Sequence, residues 1–129
     1  MRALLHAGEL EGARVLKAET VAEMGRNQIG ELNAGVLTSF NLAMSNHAEF
    51  FPGLAKRWGL GYMITMDEAP TGRAAGSLAW AGMANTYFWL DPAKRLTGLI
   101  MTQMFPFADP IVIDLFTRFE TAIYAQKGR

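Results

Sequence analysis

The chain of 129 residues contains no cysteine, which excludes disulfides and thiolate metal sites and leaves its compartment undetermined. It has no net charge. Twelve Lys and Arg stand against twelve Asp and Glu, so no basic footprint argues for nucleic acid or an anionic membrane surface. Histidine is scarce: His6 and His47 do not have the spacing of a metal pair, and no cofactor is implied. No stretch reaches the roughly 18 consecutive apolar residues of a membrane span. Met1 to Ala7 lacks both the apolar length and the cleavage site of a signal peptide. Internal repeats and low-complexity tracts are also missing. What remains is 50% hydrophobic and only 19% charged. That composition suits one domain over residues 1–129, long enough to bury roughly two-thirds of its unfolded surface.

Punctuation and periodicity give the expected elements. Met1 to Ala7 reads as the end of a helix stopped by Gly8, followed by a turn with a short extended piece up to Leu16. Ala18 to Asn27 reads as a helix with Val21 and Met24 on its apolar stripe, weakened at Gly25. Residues 28–52 are broken by Gly30, Gly35, Asn33, Asn41 and Asn46 and carry no long period. Trp58 to Met66 alternates as one strand, its two glycines suggesting a bulge or close packing. Asp67 to Gly72 is a loop by composition, its adjacent Asp67 and Glu68 solvated rather than an acid–base pair. Three further strands are expected at about Ala74–Ala81, Ala84–Leu90 and Leu96–Met104, with Asp91-Pro92-Ala93-Lys94 turning between the last two. Because Leu96–Met104 is apolar on both faces, it is expected to lie centrally in the sheet. Asp109-Pro110 opens a helix, an Asp N-cap with Pro at the first turn. Ile111, Val112, Leu115, Phe116, Phe119, Ala122 and Ile123 then form one wide apolar face that should cover the sheet. The fold class is therefore α/β of the α+β type: an antiparallel sheet of three to four strands under a C-terminal helix.

Chemistry points to one segment, Gly76 to Phe105 (GSLAWAGMANTYFWLDPAKRLTGLIMTQMF), and within it to Trp80-Ala81-Gly82 at the first bend. A glycine after a large aromatic at a strand edge lets a ligand approach the main chain closely and leaves N–H groups aimed at it. With Gly61-Tyr62, Asp91-Pro92 and Met101-Thr102-Gln103 on either side, the segment resembles the C-terminal part of serine β-lactamase-like hydrolases. That superfamily contains class C β-lactamases, penicillin-binding proteins and family VIII carboxylesterases. The resemblance extends over nearly the whole chain and implies a partial β-lactamase/transpeptidase-like fold, with Trp-x-Gly standing where β-lactamases have Lys-Thr-Gly.

The resemblance also implies roles. The developing oxyanion of acyl transfer takes two backbone donors; one is the nucleophile's own N–H, and the other falls here on Met83, just after the third motif. Gly82 leaves room for the acyl group along the strand. Trp80 takes the place of the lysine that binds a β-lactam's carboxylate, and an uncharged indole favours esters. Trp80, Ala81, Gly82 and Met83 are thus the expected substrate-binding and oxyanion residues. No nucleophile accompanies them. Ser39, Ser45 and Ser77 are followed three residues on by Leu42, Ala48 and Trp80, so Ser-x-x-Lys is missing. Tyr62, Tyr87 and Tyr124 lead to Ile64, Trp89 and Gln126, so Tyr-x-Asn is missing too. The implied reading is the C-terminal portion of such an enzyme, inactive alone, acting on a small ester or amide once joined to its N-terminal half. The alternative is a non-catalytic module that self-associates through an exposed apolar sheet edge.

Overall fold

The computed structural model describes residues 1–127 and is built around one antiparallel meander. Its strands are β3 (Lys56–Trp58), β4 (Met63–Thr65), β5 (Leu78–Gly82), β6 (Thr86–Asp91) and β7 (Leu96–Ile100), and they lie side by side in that order. Ahead of them come α1 (Arg2–Leu5), a two-stranded hairpin of β1 (Glu9–Leu10) and β2 (Ala13–Arg14), and α2 (Ala18–Met24); α3 (Pro110–Lys127) follows. The sheet has five strands because the stretch expected as a single strand at Trp58–Met66 is itself a hairpin. Gly61 turns there at φ 93°, and Gly59 lies so close to α2 that a Cβ would sit 2.3 Å from the Met24 carbonyl oxygen. Two glycines that suggested a bulge in fact reverse the chain. Residues 28–55 contribute no strand, only a bridge between Leu37 and Ala48 and another from Ser45 to Phe107.

Turn chemistry fixes the register of the longer strands. Asp91 ends β6 with its carboxylate fully buried: Oδ1 accepts the Lys94 N–H (2.8 Å), and Oδ2 accepts the Ala74 N–H (3.0 Å) and the Tyr124 hydroxyl (2.8 Å). Asp91 thereby pairs with Leu96, and the ladder runs to Tyr87 opposite Ile100. Gly98 is dictated by packing, since a Cβ there would lie 1.9 Å from the Trp89 ring. The expectation that this strand is central does not hold. It is an edge strand and stops at Ile100, because the Thr102 hydroxyl donates to the Ala84 carbonyl (2.6 Å) and draws the chain across the end of the sheet.

Alternation sends the two sheet faces to different covers. Ala79, Tyr87 and Trp89 pack under α3 with Phe107, Val112, Phe116 and Tyr124; Ile64, Leu78 and Leu90 pack with Tyr62 beneath Leu4, Leu5 and Met24. Asp109 caps α3 as expected, its Oδ1 accepting from the N–H groups of Ile111 (2.9 Å) and Val112 (3.2 Å). The buried row, however, is Val112, Phe116, Glu120 and Tyr124, while Ile111 and Leu115 face outward. Glu120 causes the rotation: its carboxylate accepts the Arg73 Nε–H (2.8 Å) and the Thr71 hydroxyl (2.6 Å) within the interior. Burial of each large apolar side chain in that row contributes about 2 kcal/mol, enough to hold a helix that also buries an ion pair. Among the described residues no helix is long and apolar enough to cross a membrane.

Candidate functional site

The outer edge of β5 is only partly covered. β4 pairs with Leu78 and Ala79 and goes no further. The Thr65 N–H donates to the Ser77 carbonyl (2.9 Å), so odd-numbered residues of β5 direct their backbone groups towards β4. By the same alternation the next outward groups belong to Ala81, and Met83 follows in the turn after β5, beyond the reach of β4. Met83 is half exposed, and its N–H has no hydrogen-bond partner among the described residues. Beside this edge the half-buried Trp80 indole meets Trp58 edge-on at 4.4 Å, with Phe50 at 6.3 Å. Gly82 has no internal reason to be glycine. A Cβ there would touch only the Thr86 Cβ at an ordinary 3.7 Å, and its φ is not positive.

Behind the edge the turn is held rigidly by Asn85, which the sequence reading passed over. Asn85 is fully buried at φ 58°. Its Nδ2 donates to the carbonyls of Met104 (2.9 Å) and Pro106 (2.8 Å), and its Oδ1 accepts the Tyr87 hydroxyl (2.7 Å) and the Asp109 N–H (3.1 Å). The hairpin that carries Met83 is therefore locked to the segment leading into α3. Burial pushes the Tyr87 phenol up to about 12, so it remains a neutral donor in this network. An Asn between two strands is a turn signal, and that cue could have exposed Asn85. Nothing in the sequence foretold Trp58 as the neighbour of Trp80.

The remaining polar candidates are occupied elsewhere. The Ser77 hydroxyl is buried and donates to the Ala74 carbonyl (2.7 Å), that of Ser45 donates to the Asn46 carbonyl (3.0 Å), and the Ser39 oxygen accepts the Asn41 N–H (3.1 Å). None of the three is bonded to a lysine or tyrosine. His47 accepts the Ser39 N–H through Nδ1 (3.0 Å). Glu68 is exposed and paired with Lys94 (3.0 Å).

The family model described as Beta-lactamase matches residues 6–122. The chain belongs to the beta-lactamase family. Among curated proteins it is 29% identical over 119 residues to the acyltransferase calJ of Penicillium decumbens, covering 90% of this chain and 28% of that protein. It is 36% identical over 77 residues to the ML-236A carboxylate methylbutanoyltransferase mlcH of Penicillium citrinum, covering 58% of this chain and 18% of the relative. Among solved structures, a LovD6 mutant of simvastatin synthase from Aspergillus terreus superposes with a TM-score of 0.76 at 27% identity, over 98% of this chain and 32% of the synthase. A β-lactamase from Mycobacterium bovis shares the fold with a TM-score of 0.66 at 20% identity, over 97% of this chain and 40% of that enzyme. This beta-lactamase-family chain thus spans less than a third of the length of the acyltransferases it matches, and the part it spans includes the five-stranded sheet with its covering helix.

Proposed function

We propose that this chain forms the oxyanion-side wall of an acyl-transfer or ester-cleaving site, with the serine nucleophile supplied from outside these residues. One observation carries the reading: β4 stops pairing at Ala79 and leaves the β5 edge open from Trp80 to the free amide of Met83. In the proposed reaction a serine hydroxyl gives its proton to a base that, like the serine, lies outside these residues, and adds to an ester carbonyl. The resulting oxyanion accepts hydrogen bonds from the Met83 N–H and the serine's own N–H, then collapses to the acyl-serine as the protonated alcohol leaves. Gly82 lets the acyl group lie against the strand. Trp80 and Trp58 form an uncharged wall, which suits an ester better than the carboxylate of a β-lactam. The names of the curated relatives, acyltransferase and methylbutanoyltransferase, support acyl esters as the substrate class.

The purified chain alone should not hydrolyse p-nitrophenyl butyrate above background. Turnover abolished by Ser39→Ala, Ser45→Ala or Ser77→Ala would place the nucleophile inside the chain and overturn the reading. The coding sequence upstream of Met1 should encode Ser-x-x-Lys in frame. In the longer protein Met83→Pro removes the proposed donor and should lower kcat by about 10²–10³ with KM little changed, while Met83→Ala keeps the amide and most of the rate.

A further inference from the structure

We infer that the cleft beside Trp80 takes a long, unbranched hydrocarbon chain on the acyl side of the ester; this rests on the function proposed above and names the substrate class of the same site. The cleft lies between α3, the end of β4 and residues 49–54 and measures about 390 Å³, within the range of roughly 300–1,000 Å³ typical of small-molecule sites. Met63 and Ala79, the pair at which β4 stops covering β5, both line it, and so does Trp80. The cleft thus adjoins the strand edge that carries Gly82 and leads to Met83. Its opposite wall is held in place. Lys56 is buried, and its Nζ donates to the carbonyls of Phe51 (3.0 Å) and Leu54 (2.9 Å), while Phe50 meets Trp80 edge-on at 6.3 Å and Tyr87 at 6.0 Å.

The chemistry follows from how the polar side chains of the lining are already engaged. The hydroxyls of Thr71 and Tyr87 donate to Glu120 and Asn85, and those of Thr117 and Thr121 donate to carbonyls one turn back in α3. Arg73 and Glu120 hold each other through paired bonds, and Glu49 faces the Lys56 ammonium at 3.7 Å. Among the described residues the buried side-chain polar atom without a hydrogen-bond partner is Thr65 Oγ1, and Thr65 is not part of the lining. A polar or charged substituent in the cleft would give up its water with nothing to replace it, whereas a hydrocarbon gains by leaving water. Position then selects the shape. Ala79 lies three residues before Gly82, roughly 10 Å along the strand. With the ester carbonyl at the Met83 amide and the acyl group laid over Gly82, a slender extended chain reaches the cleft and a butanoyl group ends short of it.

Methyl heptyl ketone and methyl propyl ketone present the octanoyl and butanoyl groups without a bond that can be cleaved. Titrated into the isotope-labelled 129-residue chain and followed by NMR, the heptyl ketone should shift the amides of Ala79, Trp80 and Phe116 saturably. Each methylene inside the cleft should add about fourfold in affinity, and the propyl ketone should leave those amides in place. Thr117 is exposed on α3 and lines the cleft, so Thr117→Phe should keep the melting temperature and weaken the heptyl ketone at least tenfold. In the longer protein kcat/KM for p-nitrophenyl octanoate should exceed that for the butyrate at least tenfold, and Thr117→Phe should bring the ratio close to one. Shifts scattered over the surface, equal binding of the two ketones, or an octanoate preference untouched by Thr117→Phe would each overturn the inference. Equal turnover of the two esters would overturn it and leave the proposed function standing. Turnover of neither ester would overturn that function, and the ketone titration would still decide whether the cleft takes a hydrocarbon chain.

Discussion

At Asn85 a backbone requirement and a side-chain requirement meet in one residue. The φ of 58° is affordable for Asn and Gly and strained for Ala, while the amide serves four partners (Met104 and Pro106 carbonyls, Tyr87 hydroxyl, Asp109 N–H). The two contributions can be separated. Asn85→Gly keeps the backbone conformation and strands the partners, so it should cost about 2–3 kcal/mol in urea unfolding. Asn85→Ala should cost about 1 kcal/mol more, from the strained φ. Equal losses would show that the backbone conformation contributes nothing; a Gly variant as stable as the wild type would dismiss the network. At this scale the sequence was legible in location but not in cause. Gly82 marked the bend, yet the positive φ belongs to Asn85, and Gly82 has an ordinary conformation in which a Cβ would make only an ordinary contact with Thr86. Gly98, which attracted no notice, is the glycine that the interior enforces, because its missing side chain is where the Trp89 ring lies.

The elements were legible to the extent that local patterns determine them. Asp109-Pro110 located the start of α3, and the Asp91-Pro92 turn separated β6 from β7, because capping and turn chemistry act within a few residues. The orientation of α3 about its own axis was not legible, since a wide apolar stripe tolerates several rotations and the choice is made by Arg73, 47 residues away in sequence. That dependence makes the pair a test of what orients the helix. Arg73→Met leaves the Glu120 carboxylate buried with only the Thr71 hydroxyl, and Glu120→Leu leaves an unpaired guanidinium. Each should cost about 3–5 kcal/mol, because an isolated buried charge keeps its full desolvation penalty. The double variant Arg73→Met/Glu120→Leu should recover to within about 1 kcal/mol of the wild type, since two apolar groups of similar volume make no such demand. A denaturant series on the four proteins decides it, and additive single losses would mean that the two side chains act independently.

For the whole molecule, the sheet faces are well covered; of the two edges, β3 is paired by residues 28–34, whose Gln28 and Ala34 N–H groups donate to the Trp58 (2.8 Å) and Lys56 (3.0 Å) carbonyls, while β7 has no strand beside it. β7 read as central because both its faces are apolar, but side-chain pattern reports on faces and carries no information about which strand lies alongside. Beyond it Met101 and Ile111 are both more than 70% exposed. The interior, by contrast, gathers every tyrosine of the chain: Tyr62, Tyr87 and Tyr124 are all buried, and burial raises the phenol of each. For Tyr124 the Asp91 carboxylate that accepts its hydroxyl adds to the effect, as does the nearby Glu120. A phenol raised in the folded state favours folding while it stays protonated. That contribution is complete below the ordinary value of 10.0 and is lost as pH climbs towards the folded value of about 12 for Tyr87 and higher for Tyr124. Between those limits the unfolded chain releases phenolic protons that the native one retains. The urea midpoint should therefore be flat from about pH 7 to 9 and fall steeply above about 10, with ultraviolet phenolate absorbance rising in step with unfolding. Tyr124→Phe will lower stability near neutrality, because the Asp91 oxygen and the Trp89 Nε1–H (3.0 Å) lose their partner, but it should make the alkaline decline shallower. If phenolate absorbance instead rises near 10 while the chain stays folded, the tyrosines reach solvent without unfolding, and the close packing of Tyr87 and Tyr124 under α3 is wrong.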